Sequence, residues 1–549
     1  MPTPKAKPKP KVVRGKDPKS SKQPTRSADG TNTPPTMSTK PVQEPSSTTL
    51  VDTMSTEPVQ EPLSTILVDG EELPVIDIRA TGDIILDVTF EVTPLWEKSI
   101  EGTLATDKLA KQAYKKSGPS AVRKLYRVRI DTLKKNSKYF EHLLGSDVFQ
   151  EGLQVREHLE QLKGSDNDPS SASAEILPRL KIQDDEDGTM TFGREKAFED
   201  MLRIAHGGTH VTDNKHIGLH YLTVLVTMGE AYECLEPVAR YLKESQLARY
   251  KYPANSTEET IRKKLLIFYL AKLNPLQANA TFESCTKELV LKGSVRWSAV
   301  EDGLYQSTAR WWTLPGGLED ELALRRKCIL NTIASLVQHY LNIYTSKVRQ
   351  CTLGYDSSPA CDSFQLGEMI KFLTSKKLLS LSCFTGVSPD DPEYIWPEAY
   401  TGSIEDLVTL LHQVPSYQID SNHNHCGLRS RILKPLDHIK TCIAHGASVN
   451  SIRWFKNRDE LSWARLGQMR ASSLHTKAFK VNDEAVGIDK ISFVFDDKHL
   501  SMWASTGTGP IGLEKASKFM FTADEWDWKD DREVPVASTP SRFFNLNFR

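Results

Sequence analysis

Three cysteines and one histidine in the second half of the chain have the side chains of a zinc site. They are Cys351, Cys361, His423 and Cys426. Thiolate sulfur and imidazole nitrogen are the usual ligands of tetrahedral zinc, and the short spacing from His423 to Cys426 is that of a zinc knuckle. Since four protein ligands leave no open position for water, a zinc ion bound here is expected to have a structural role.

Two features of the same region favour other interpretations. Nine residues separate Cys351 from Cys361, more than zinc sites usually have, and His425 is a second nitrogen donor. The cysteines could instead be small buried apolar side chains at helix ends, where Asp362 and Ser363 cap the helix that follows. Oxidation sensing is a third interpretation. The sequence leaves all three open.

A glycine-rich segment, Gly507-Thr-Gly-Pro-Ile-Gly512, matches the dinucleotide-binding fingerprint. Pro510 lacks a backbone N–H where a pyrophosphate would need a donor, so a turn that opens a helix is the favoured interpretation. A nucleotide-dependent enzyme is the remote alternative. The sequence has no Gly-x-Ser-x-Gly, phosphate-binding loop or His-Glu-x-x-His motif, and we expect no enzymatic activity.

The segments that must position the candidate zinc ligands are predicted to be helical. Apolar residues recur at helical spacing over residues 261–273, 276–291, 318–344, 364–379, 404–411 and 432–443. Residues 491–495 and 500–503 predict a short β-hairpin. We therefore expect a mainly α-helical C-terminal domain over residues 258–530, followed by an irregular tail over residues 531–549.

A strand followed by two short helices is predicted in the first half of the chain. Tyr126 and Val128 alternate as on one face of a strand. Leu133 and Phe140 then follow helical spacing, and Ser137 is placed to cap the second helix.

Further elements surround this pattern. Residues 84–90 are rich in β-branched side chains and predict another strand, and residues 197–206 begin an amphipathic helix. We therefore expect a folded domain over residues 76–243. Its acidic, Ser-rich insertion at about residues 164–190 is expected to be a disordered surface loop.

These residues together resemble the BTB/POZ domain, in the version found in large fungal proteins. The matching positions are residues 87–90, Leu133, Ser137, Phe140, 201–204 and 222–234. Residues 351–367 and 417–429 are similar to segments that accompany this domain, so the resemblance extends over most of residues 76–530. It implies an α+β domain, with a small sheet flanked by helices, that binds proteins and performs no chemistry.

The resemblance also implies partners. Some BTB proteins bind cullin scaffolds through a hydrophobic-x-acidic element, which Phe149 and Glu151 match; otherwise Phe149 packs on the domain core. We expect a non-enzymatic adaptor that forms a homodimer or binds a protein such as a cullin scaffold of a ubiquitin ligase. Apart from the structural zinc ion considered above, we expect no cofactor.

The first 72 residues are rich in Pro, Ser, Thr and Lys and are predicted to be a disordered tail. Residues 36–52 are nearly repeated by residues 53–69, as in a duplicated linker. The basic residues within 1–30 could direct nuclear import, contact nucleic acid or only aid solubility. A nuclear regulator of transcription or chromatin is therefore the alternative to the adaptor.

The composition limits where the protein acts. The net charge of −1 over 549 residues gives no general attraction to nucleic acid, so any such contact is expected from the basic tail alone. No apolar run approaches the roughly 18 residues that span a membrane. The first residues lack the apolar core of a signal peptide. We expect the chain in the nucleus or cytoplasm, neither secreted nor transmembrane.

Overall fold

The computed structural model describes most of the chain between residues 64 and 529. The described residues are 64–91, 122–165, 168–184, 193–208, 218–245, 257–272, 275–298, 309–379, 400–464, 479–482, 490–495 and 509–529. Most of the predicted tail, residues 500–503 of the predicted hairpin and the C-terminal residues 531–549 lie outside them.

A five-stranded mixed sheet organises the N-terminal part. Its strands are β1 (Thr65–Val68), β2 (Glu71–Asp77), β3 (Ile84–Phe90), β4 (Val122–Val128) and β5 (Arg179–Asp184). Their order across the sheet is β1-β2-β4-β3-β5. The pairs β1–β2 and β3–β4 are antiparallel, whereas β2–β4 and β3–β5 are parallel. Ile84, Leu86 and Val88 of β3 are fully buried, as expected of a strand with neighbours on both sides.

Three of these strands correct the sequence predictions. Strand β1 and the start of β2 lie within the tail predicted to be disordered up to residue 72, because Ile66 and Val68 alternate with exposed residues and bury one face. Strand β5 lies within the insertion predicted to be a disordered loop at about residues 164–190. Leu180 and Ile182 alternate in the same way there. The acidic and Ser-rich neighbouring residues concealed this short alternation.

Helices cover the sheet, and the predicted strand and two short helices are present. They are α1 (Ile130–Asn136), α2 (Lys138–Gly145), α3 (Gln150–Gly164), α4 (Arg194–Ala205), α5 (Leu219–Ala231) and α6 (Leu235–Glu244). Ser137 caps α2 as predicted: its Oγ accepts the Phe140 N–H at 3.2 Å and donates to the Tyr232 carbonyl at 2.7 Å. This second bond fixes α2 against the end of α5.

The described part of the C-terminal half is mainly helical. Its helices are α7 (Glu258–Ala271), α8 (Pro275–Lys292), α9 (Val295–Ser298), α10 (Leu318–Thr345), α11 (Ser358–Ser375), α12 (Ile404–His412), α13 (Leu428–Gly446), α14 (Ser451–Lys456), α15 (Arg458–Leu461) and α16 (Gly509–Phe521). The predicted helical segments all lie on these helices, with shifted ends. The fold is therefore mixed α/β, with a small sheet and many helices.

One hydrophobic core joins the two predicted domains. It includes Phe140 and Leu225 from the first, and Leu265 and Leu336 from the second. Helix α5 packs on α7 across the predicted boundary, and residues 62–549 form one compact unit. The unit of residues 64–244, which we call the α+β unit, is thus continuous in packing with the helices that follow.

The C-terminal half also contains a small second sheet. Its strands are β6 (Phe479–Asn482), β7 (Lys490–Val494) and β8 (Glu525–Asp527), in the order β6-β7-β8. The predicted strand at residues 491–495 therefore exists, but β7 pairs with β6 and β8, which we did not predict. Among the described residues, no helix has both the length and the apolar character needed to cross a membrane.

Candidate functional site

Three separate segments bring the candidate zinc ligands together. Cys351 lies in the connection from α10 to α11, and Cys361 lies in the first turn of α11. His423 ends a 3₁₀ turn, Ser421–His423, and Cys426 follows just before α13. The hydroxyl of Tyr344, near the end of α10, donates to the Cys426 carbonyl at 2.9 Å. Packing between helices thus brings together ligands that are far apart in the sequence.

The donor atoms of these residues form one buried cluster, which we call the Cys/His cluster. The Sγ atoms of Cys351 and Cys361 and a ring nitrogen of His423 all lie within 4.8 Å of one another. The Sγ of Cys426 is 3.8 Å from that of Cys351. Cys361 and His423 are completely buried, and all three cysteines are free thiols. His425, the alternative donor, is exposed and lies outside this cluster.

A carboxylate fixes the histidine. Asp420 Oδ1 lies 2.7 Å from His423 Nδ1 and also accepts the Asn422 N–H at 2.8 Å. Ser357 donates to the other carboxylate oxygen. Asp420 holds Nδ1, and the other ring nitrogen, Nε2, forms a hydrogen bond of 3.2 Å with Ser358 Oγ at the start of α11. Protein zinc sites commonly use such a carboxylate to set the orientation and tautomer of a ligating histidine.

A second carboxylate holds the segment that carries Cys351. Asp362 accepts the backbone N–H of Gln350 at 2.6 Å and that of Cys351 at 3.0 Å. The alternative interpretation, in which Asp362 and Ser363 cap a helix that begins at Phe364, is wrong about the cap. Helix α11 begins at Ser358, so Asp362 lies inside it and is free to bind the loop.

Hydrogen bonds and burial shift the pKa values of the residues in and beside the cluster. The hydrogen bond that His423 donates to the Asp420 carboxylate raises the pKa of His423. The Ser357 hydroxyl and His423 lower the pKa of Asp420 to about 2. Burial raises the pKa of Cys361 and of Cys426, because neither thiolate is stabilised by water. Without a cation these two side chains are therefore favoured as neutral thiols, whereas three thiolates at this point would need the positive charge that a bound metal ion would supply.

Cys351 differs from the other two cysteines. Burial disfavours its thiolate, but the Leu353 N–H and the Ser358 hydroxyl outweigh that effect and lower its pKa. Hydrogen bonds to the charged form act in this direction. The side chain most ready to ionise is thus at the centre of the cluster, beside the histidine.

Other buried cysteines show how a thiol behaves in an apolar core. Cys234 and Cys442 belong to the main hydrophobic core, and burial raises the pKa of each to about 12. The cysteines of the Cys/His cluster instead form a separate group, against which only Ile419 packs among the partly buried apolar residues described. Their neighbours include the polar side chains of His423 and Ser358, so their surroundings differ from those of a thiol in the main core.

The predicted interaction element lies at the start of α3, far along the chain from the cluster. Phe149 precedes the helix and is 42% exposed, so it does not pack fully on the core. Val148 and Leu153 are also exposed, and Glu151 lies between them with its side chain in solvent. We call these four residues the Phe149 surface. It is an apolar surface with one acidic side chain.

The turn that presents this surface is closely packed. A Cβ atom at Gly152 would overlap the carbonyl oxygen of Leu143, so only glycine lets α3 approach α2 this closely. Arg156 ties the turn from the other side, donating to the Ser146 carbonyl at 3.2 Å and to Asp147 Oδ1 at 2.6 Å. Val155 is buried beneath it. These contacts hold the backbone of the turn that carries Phe149.

The glycine-rich segment is partly described. Gly507 lies outside the described residues, whereas Pro510 and Gly512 lie in the first turn of α16, which begins at Gly509. This placement agrees with the favoured interpretation of a segment that opens a helix.

Comparison with known proteins gave no match to a protein-family model, to a curated protein or to a solved structure. The BTB/POZ resemblance therefore stays a prediction.

Proposed function

We propose that this chain is a non-enzymatic adaptor that binds another protein through the Phe149 surface of its α+β unit. The exposure of Phe149 carries the proposal. A large aromatic ring in solvent, next to two exposed aliphatic side chains, is a typical feature of protein-binding sites.

The architecture supports this proposal. A strand followed by two short helices, in a small sheet flanked by helices, is the arrangement that the BTB/POZ resemblance implies. The proposed function rests on an exposed surface of this unit.

The packing of the turn that carries Phe149 also favours binding. Gly152 and Arg156 fix the backbone of the turn before α3, so little backbone freedom is lost when a partner covers the ring. Glu151, on the same turn, is placed to contact a basic or polar group at the edge of the covered area. The surface therefore offers an apolar anchor and a charged rim.

Affinity capture with the full chain tests the proposal. The wild type, Phe149→Ala and Ile452→Ala are used as baits in cells that naturally express the chain. Ile452 is the matched control, because it is also 42% exposed and lies on α14. We expect a protein that the wild type and Ile452→Ala retain and that Phe149→Ala loses. Equal recovery with all three baits contradicts the proposal, provided that their circular dichroism spectra agree.

The proposal admits two kinds of partner. One is a second copy of the chain and the other is a different protein, such as a cullin scaffold. Sedimentation velocity of the purified chain over a range of concentrations separates them. A dimer that Phe149→Ala dissociates identifies the first, and a monomer in both cases leaves the second.

A further inference from the structure

We propose that Cys351, Cys361, Cys426 and His423 bind one zinc ion, with Asp420 as the residue that positions the histidine. The proposal goes beyond the adaptor function, because it concerns the C-terminal half of the chain. It commits to the zinc interpretation among the three that the sequence left open.

The sulfur geometry is the first argument. Two thiolates bound to one zinc ion at about 2.3 Å with a tetrahedral angle lie about 3.8 Å apart. Cys351 and Cys426 have this separation, 3.8 Å. The third sulfur and the imidazole nitrogen lie within 4.8 Å of Cys351 Sγ and of each other. Cys426 lies beside this group of three donors, in contact with Cys351, and its side chain must move to complete a site of four donors.

The surroundings are the second argument. A histidine with no exposed surface, held at Nδ1 by a carboxylate and with a ring nitrogen within 4.8 Å of two cysteine sulfurs, has the surroundings of a zinc ligand. A purely apolar role for the cysteines does not explain why His423 and Asp420 are placed beside them. The Ser358 hydroxyl, now 3.2 Å from Nε2, is placed to donate to Cys351 sulfur once Nε2 binds the ion.

The chemistry of binding is an exchange of protons for the ion. Each cysteine binds as a thiolate and releases its proton to solvent, and His423 binds through an unprotonated Nε2. Three thiolates and one neutral imidazole around Zn²⁺ leave a net charge of −1 in the first coordination shell. No position remains for a reacting water molecule, so the ion would act as a clamp.

The clamp joins the end of α10, the start of α11 and the segment before α13. Tyr344 and Asp362 already tie these three segments by hydrogen bonds to Cys426 and Cys351. The ion would add four strong bonds at the same point. Its removal should therefore loosen residues 346–361 and 420–427 while the α+β unit stays folded.

Metal analysis of the full chain, purified without a chelator or an immobilised-metal column, tests the proposal. We expect about one zinc ion per chain by mass spectrometry of the metal, and X-ray absorption with about three Zn–S distances near 2.3 Å and one Zn–N near 2.0 Å. The Cys361→Ser variant should lose the ion. The control Cys328→Ser, half-buried on α10, should keep it.

Two further measurements do not depend on a cysteine variant that folds. Cobalt(II) added to the metal-free wild type should give the intense visible bands of a tetrahedral thiolate site. Asp420→Asn should weaken zinc binding about 10- to 100-fold in a chelator competition, since loss of a second-shell partner typically has this effect. Asp420→Glu should restore part of the affinity.

Three outcomes overturn the proposal. The first is a metal-free chain that gives no tetrahedral cobalt spectrum. The second is zinc retained equally by Cys361→Ser and Cys328→Ser. The third is a disulfide between two of the three cysteines, seen as a mass decrease in the chain as purified.

Discussion

The packing of α3 against α2 makes a sharp prediction about two glycines of the same helix. Gly152 lies in the first turn of α3 and Gly164 ends it. A Cβ atom at Gly152 would overlap the backbone oxygen of Leu143, whereas one at Gly164 would meet no atom within 4 Å. The two substitutions to alanine are therefore chemically identical but differ in packing.

The magnitudes follow from this difference. Alanine is favoured over glycine inside a helix by about 0.5–1 kcal/mol, so Gly164→Ala should leave stability unchanged or raise it. At Gly152 the carbonyl of Leu143 belongs to the backbone of α2, and the helices must separate. Overpacking of this kind typically costs about 1–3 kcal/mol. Gly152→Ala should therefore be less stable than Gly164→Ala by about that amount.

Urea denaturation of the full chain, followed by far-ultraviolet circular dichroism, measures the difference. Hydrogen exchange of residues 143–156 should also be faster in Gly152→Ala, because the turn that carries Phe149 is displaced. A midpoint for Gly152→Ala equal to or above that of Gly164→Ala refutes the close approach of α3 to α2, and with it the packing of the turn that carries Phe149.

Two other predictions concern the α+β unit. Phe140→Ala removes a ring that is 1% exposed and stacks 6.1 Å from that of Tyr232, so we expect a loss of about 3–5 kcal/mol and a lower urea midpoint; an unchanged midpoint places the ring outside the core. Burial lowers the pKa of His206, whose ring accepts the Arg129 N–H at 3.1 Å and contacts the Leu202 carbonyl at 2.8 Å. Because the unfolded chain then binds the proton more readily, stability should fall as the pH drops below about 6.5. His206→Gln should show a shallower fall between pH 7 and 5, and equal slopes would exclude this role.

Local signals predicted the elements whose residues depend mainly on near neighbours. The alternation of Tyr126 and Val128 and the cap at Ser137 are properties of short segments, and the structure has the strand and the helix where these residues place them. Leu143, on the same helix as the buried Phe140, is only partly buried and packs against the core.

Strands stabilised by distant partners were missed. Strand β5 has only Leu180 and Ile182 to mark it, and it forms because β3 offers a parallel edge. Strand β8 is three residues long and depends on β7 in the same way. Composition averaged over a window cannot show such pairing, because the partner strand is remote in sequence.

The sequence predicted the four donor residues of the Cys/His cluster but not the carboxylates that hold them. Residue types identified the four donors, but the spacing of Cys351 and Cys361 argued against a site, because the sequence does not show that helix packing brings them together. Asp420 was missed. Its position three residues before His423, at a turn, was the one local signal. The role of Asp362 depends on the path of the loop that it binds, and no local sequence pattern indicated that path.

Site-specific photo-crosslinking tests the adaptor function most directly. A photoreactive p-benzoylphenylalanine replaces Phe149 in the full chain, or Ile452 as the equally exposed control, and the cells are irradiated. We predict a discrete crosslinked protein at position 149 that is absent at position 452. A chain that gives no adduct at position 149, or the same adducts at both positions, contradicts the account.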